Sequence, residues 1–217
     1  ADAMELFRPY AEAGREIVCF SISAGMSTSG NVMRLAAEEL GASDRIKVID
    51  SANLSTGIGL LVVEAAIMAK NNRTASQIVS EMEKLKPNVR ASFVVDTLTY
   101  LYRGGRCNAV AAMAGGVLKL HPRIVVEDGA MNASKKYRGK IASVVMNYVK
   151  DMEKDLKKAR PERVFITHSG CEQETVEKVR AYLKELDIFD EILETRAGGV
   201  VSSHCGPGTL SVLYIAK

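Results

Sequence analysis

CFSISAGMSTSG, residues 19–30, is the stretch that decides the fold. Ile17, Val18, Cys19 and Phe20 form a short apolar run, and the spacing predicts a buried strand over 17–22. The strand runs into Ser21, Ser23, Gly25, Ser27, Thr28, Ser29 and Gly30, and a helical pattern follows over 29–40. A strand that ends in small hydroxyl residues before a helix gathers hydroxyls and backbone N–H groups, which suits a carboxylate or phosphate. The same residues also read as a plain turn with Thr28 or Ser29 capping the helix.

Outward from this stretch the pattern alternates. A helix is expected over 2–13, a strand over 45–50 (RIKVID), and a mostly buried helix over 56–70. Thr74 and Gln77 form a capping-box pattern that opens a helix over 75–86. SFVVD, 92–96, reads as another strand, with Thr97 opening a short helix to Arg103. Strand–helix alternation of this kind argues a parallel sheet covered on both faces. After Arg106 the pattern changes. A short Ala-rich helix is expected over 108–115, and strands at 121–127 and 131–137 flank Asp128-Gly129, a strong hairpin signal. A helix over 139–159, a strand over 163–168, a helix over 172–186 and strands at 190–196, 199–204 and 209–216 complete the reading. The expected fold class is α/β in two units. A parallel-sheet α/β domain covers 1–106 and an α+β domain with a mixed sheet covers 107–217, with a ligand between them.

The 217 residues are 47% hydrophobic and 25% charged, ordinary for a globular protein able to bury a sizeable core. A net charge of +3 is too small to argue for nucleic-acid binding. No apolar run approaches the length of a membrane span, and residues 1–16 do not read as a secretory signal. Cys19, Cys107, Cys171 and Cys205 have no Cys-x-x-Cys spacing, so neither a metal site nor a disulfide framework is expected, and free thiols suit a cytoplasmic location. No cofactor is expected, and no Walker-type phosphate loop is present.

Two further segments carry chemistry. LTYLYRGGR, 98–106, places an Arg after paired glycines. SHCGPGTLSV, 203–212, places His204 before a Gly-Pro-Gly turn. Together with SISAGMSTSG and VIDS at 48–51, these motifs follow in the order of the DegV family of fatty-acid-binding proteins, and nearly the whole chain resembles it. The resemblance implies a protein that holds a long-chain fatty acid and presents its carboxyl group to a separate fatty-acid kinase, with no catalysis of its own. It places the carboxylate-binding Ser on Ser27 and the family's His beside the carboxyl group on His204, and it matches Arg106 to the family's Arg. Family members usually carry a further N-terminal segment, including a ligand-holding Thr, ahead of the point where this sequence starts. Thr28 stands where the family often has Gly.

Each candidate has a plainer reading. The Ser27 hydroxyl can donate to a carboxylate or simply bond local backbone. Ser23 is a weaker ligand candidate that can also just close the strand end, and Thr28 is carried with it. Arg106 can neutralise a carboxylate or stand as a helix C-terminal cation. Gly206 and Gly208 let the backbone turn closely around a site. His168 is a secondary candidate, and His121 reads as a strand residue. Lys135, Lys136, Arg138 and Lys140 read as solvated surface. Small residues such as Gly59, Ala65, Ala112 and Gly116 leave room for an acyl chain or pack tightly. The alternative function is a hydrolase or acyl transferase with Ser27 as nucleophile, His204 as base and Asp50 or Asp96 as the orienting carboxylate. Cys205 beside His204 is a poor nucleophile pair if both lie on a strand, where neighbours point to opposite faces.

Overall fold

A computed structural model describes residues 1–105 and 120–217. The chain groups into two compact units. One comprises residues 1–87 with 128–130, and the other 88–127 with 131–217. The expected boundary at residue 106 and the helix expected over 108–115 lie outside the described residues.

In the first unit, β1 (Ile17–Ser21) pairs in parallel with β2 (Ile46–Asp50), from Ile17 opposite Ile46 to Ser21 opposite Asp50. Helices α1 (Asp2–Glu12) and α2 (Ser29–Glu39) turn Phe7, Ala11, Ala36 and Ala37 inward onto Ala42 and Ile46, while Leu6, Tyr10, Val32 and Leu35, apolar residues at helical spacing, stay exposed. Helices α3 (Thr56–Lys70) and α4 (Ala75–Leu85) follow. The capping box read from the sequence is present: the Thr74 hydroxyl accepts from the Gln77 N–H, and the Thr74 N–H donates to the Gln77 side chain. Parallel pairing holds, but this sheet has two strands. The strand expected over 92–96 is β3 (Val89–Val94), and it belongs to the other unit. Its partners are antiparallel strands far along the chain, which local alternation could not reveal.

In the second unit, six strands lie in the order β5-β4-β3-β8-β6-β7, an antiparallel sheet with one parallel edge pair, β6 with β7. They are β4 (Leu120–Glu127), β5 (Ala130–Arg138), β6 (Ala159–Ser169), β7 (Glu191–Arg196) and β8 (Thr209–Ala216). Asp128 and Gly129 both have positive φ, as the tight turn between β4 and β5 requires. β8 is central and buried over seven of its eight residues. Helices α6 (Ile141–Asp151) and α8 (Gln173–Glu185) pack Val144, Val145, Tyr148, Val176, Val179 and Leu183 onto it. The buried Tyr148 hydroxyl donates to the Ser92 carbonyl at 2.7 Å and accepts the Val212 N–H at 3.1 Å.

Three expectations are corrected. The helix expected to be mostly buried over 56–70, α3, buries Gly57, Leu60, Leu61 and Ala65 but leaves Val62 and Ile67 exposed. The helix expected over 139–159 is α6 followed by a single turn, α7 (Glu153–Leu156), and β6 already starts at Ala159. Buried Met152 and Leu156 anchor this break. The strand expected over 199–204 is a helix, α9 (Gly199–Cys205). Val200 and Val201 favour a strand, but Gly198 begins a helix that packs on α5 (Thr99–Arg103). Tertiary packing outweighs a weak local preference here.

Candidate functional site

The first unit holds the hydroxyl loop between β1 and α2. Ser23 is 2% exposed, and its hydroxyl donates to the Gly129 carbonyl at 2.6 Å while accepting the Gly25 N–H at 3.2 Å. A hydroxyl has one proton to give, so Ser23 anchors the loop and has no donor left for a ligand. The Asp50 carboxylate at the end of β2 accepts the Ala52 N–H at 2.9 Å and the Ala24 N–H at 3.3 Å, tying the two strand ends together. Ser27 follows on this framework, with its N–H bonded to the Ser23 carbonyl. Its half-buried hydroxyl lies 2.7 Å from that of Ser29 and accepts the Ser29 N–H at 3.2 Å. Because Ser29 can donate to Ser27, the Ser27 proton is free to point at an acceptor. Thr28 is the N-cap of α2, yet its exposed side chain makes no capping bond, so the capping role expected of it is not taken up.

The second unit brings the other two motifs together. His204 sits near the end of α9, half-buried, with Nδ1 buried against Gly104. Gly206 follows with φ 79° and ψ 171°, a conformation essentially confined to glycine, and its α-carbon lies against the Tyr100 ring. Gly208, also at positive φ, passes close to Asp96 and Ile141. Since His204 and Cys205 lie on a helix, the opposite-faces argument for a strand does not apply. They stand about 100° apart around the axis and still do not face one another. Burial raises the Cys205 thiol pKa and leaves the thiolate scarce.

The remaining candidates have structural partners. His168 is 4% exposed; its Nδ1 accepts the Cys171 N–H at 3.3 Å, and its Nε2 lies 3.4 Å from Glu194, which also binds Arg180. His121 is buried between the Gly139 carbonyl and Asp96, 3.4 Å from the carboxylate. Asp96 thus faces His121, and Asp50 holds backbone amides, so neither does the orienting task that the hydrolase reading needs. Lys135 pairs with Asp151 at 2.6 Å, whereas Lys136, Arg138 and Lys140 are solvated as expected. Arg106, Cys107, Ala112 and Gly116 lie outside the described residues. Among the described residues no group of three or more His, Cys, Asp or Glu is placed to hold a metal ion, and no helix is long and apolar enough to cross a membrane. Sequence reading passed over Asp50 as a loop clamp, although an Asp that ends a strand before Ser-Ala is a signal for such backbone capping. It also passed over Tyr100 and Gly104, whose contacts are long-range.

The model of the DegV family, described as uncharacterised protein, matches residues 1–217. A DegV domain-containing protein of Clostridium perfringens is 32% identical over 216 residues, which covers 98% of this chain and 74% of that protein. Among solved structures, a DegV family protein from Thermus thermophilus, described by its fatty acid binding, superposes with a TM-score of 0.89. It is 25% identical, and the match covers all of this chain and 76% of that one. A stearic acid-binding protein from Eubacterium ventriosum has a TM-score of 0.83 at 26% identity, covering 99% and 75% of the two chains. With its motifs in order, its two sheets in place and its whole length matched, this chain belongs to the DegV family.

Proposed function

We propose that this protein binds a long-chain fatty acid and holds its carboxylate through the Ser27 hydroxyl and the His204 imidazole. The observation that carries the reading is the match over the whole chain to structures of proteins described as binding fatty acids, one of them stearic acid. The Ser27 hydroxyl, free to donate at the start of α2, supports it. A hydroxyl or imidazole donating to a carboxylate contributes about 1.5–3 kcal/mol, and each buried methylene adds about 0.8 kcal/mol, so the acyl chain dominates affinity and the polar head fixes orientation. Arg106, which matches the family's Arg, is a third carboxylate partner in this proposal.

The protein acts as a carrier. A separate kinase transfers a phosphoryl group from ATP to the bound carboxylate, giving an acyl phosphate and ADP, and the protein contributes position rather than chemistry. The test is denaturing extraction of purified protein followed by mass spectrometry. A fatty acid released at one per chain is the expected result; an empty extract, with no stearic acid bound on addition, would refute the proposal. Phosphorylation is tested by adding candidate kinases and ATP to the loaded protein and measuring acyl phosphate. Turnover of an activated ester by the protein alone, abolished in Ser27→Ala, would favour the hydrolase instead.

A further inference from the structure

The paired glycines after α5 do two different jobs. Gly105 has φ 67°, and no described residue lies within 4 Å of where its Cβ would stand, so it serves conformation and ends the helix. Gly104 has φ −75° and ψ −4°, which any residue adopts, so conformation does not require glycine there. Space does: a Cβ at Gly104 would overlap His204 Nδ1. The arrangement is reciprocal, because a Cβ at Gly206, at the C-terminal end of α9, would overlap the Tyr100 ring of α5. Each helix therefore contributes one ring and meets one glycine, and the two contacts fix how α5 lies on α9.

We infer that Gly104 and Tyr100 are positioning residues for His204: the glycine admits the imidazole, and the tyrosine ring under Gly206 holds the end of α9 where that imidazole is presented. This rests on the reading of His204 as a carboxylate donor. Nδ1 lies buried on Gly104 with no hydrogen-bond partner among the described residues, which leaves Nε2 as the nitrogen to serve a ligand.

The experiment compares His204→Ala, Gly104→Ala and the double variant for stearic acid affinity, with Gly105→Asn as a control that keeps a left-handed residue at the helix end. It also follows the His204 ring resonances by NMR. Gly104→Ala should weaken binding about as much as His204→Ala, around tenfold, and the double variant should be no weaker than either alone, because both remove the same contact. The ring resonances should shift in Gly104→Ala and stay in place in Gly105→Asn. Unshifted resonances and unchanged affinity in Gly104→Ala would overturn the inference. If His204→Ala itself binds stearic acid as tightly as the parent, the donor reading fails, and the resonances alone decide whether Gly104 positions the ring. If Gly104→Ala does not fold, Tyr100→Leu takes its place, with the same resonance shift expected and an unshifted ring overturning the inference.

Discussion

Replacing Ser23 with Ala separates the anchor of the hydroxyl loop from its ligand donor. The lost hydroxyl leaves the Gly129 carbonyl, buried at the hairpin tip, without its 2.6 Å donor, and the Gly25 N–H without its acceptor. Gly25 is exposed and water can serve it, so the carbonyl dominates. One lost hydrogen bond and one buried unsatisfied acceptor cost about 1–3 kcal/mol. With a urea m-value of about 2 kcal/mol/M, a loss near 2 kcal/mol lowers the midpoint by about 1 M. Ser27→Ala should show the opposite profile. Its hydroxyl is half-buried and among the described residues bonds Ser29 alone, so stability should change by about 0.5 kcal/mol or less, whereas stearic acid affinity falls about tenfold. Urea titrations of the ligand-free proteins, followed by stearic acid binding, give both quantities. A Ser23→Ala midpoint that does not move, together with a fall in affinity, would refute the reasoning, because the hydroxyl would then be serving ligand rather than Gly129.

Tyr148→Phe should cost about 1–3 kcal/mol in urea unfolding, since it removes the buried hydroxyl that donates to the Ser92 carbonyl and accepts the Val212 N–H. Gly206→Ala should lower thermal stability by about 2–4 kcal/mol, combining glycine-only backbone with displacement of the Tyr100 ring. Alkaline pH should destabilise the fold. Burial pushes the Cys19 thiol up to about 11 and the Cys171 thiol up to about 12, above the ordinary value of 9.0 that the unfolded chain returns to. The stability held by these neutral thiols is therefore complete below pH 9.0 and is lost as pH rises toward 11 and 12. Unfolding free energy measured across that range should fall, and a Cys19→Ala, Cys171→Ala variant should show a shallower fall.

Much of the fold was legible because its signals are local. The apolar run before residues 21–30, the Thr74–Gln77 capping box and the Asp128-Gly129 turn each act within a few residues, and each appears where the sequence placed it. The pairing of β3 with β8 was not legible, because nothing near residue 89 says that Ile215 will lie opposite. Helix α9 was misread for a related reason: Val200 and Val201 carry strand preference, and the packing of α9 on α5, through His204 at Gly104 and Tyr100 at Gly206, is a long-range contact that local preference does not report. At the candidate site the residue types and their order stood in the motifs. The division of labour did not. That Ser23 gives its proton to Gly129, and that Gly104 is there for the His204 ring rather than for its own backbone, depends on distances between segments that no spacing encodes.

The place of β8 has a consequence for the chain as it is made. β3 leaves the ribosome early, with Val89 and Ala91 ready to pair, but its partners on one side, Ile215 and Leu213, come more than a hundred residues later. β6 waits for the same strand, from Ala159 opposite Ala216 to Ser169 opposite Thr209. Until β8 emerges, the nascent sheet is two half-sheets, β5-β4-β3 and β6-β7, each with an apolar edge bare. Such edges invite pairing with other chains, so this interval in synthesis is when the protein most needs a chaperone, and insertion of one strand closes both edges at once.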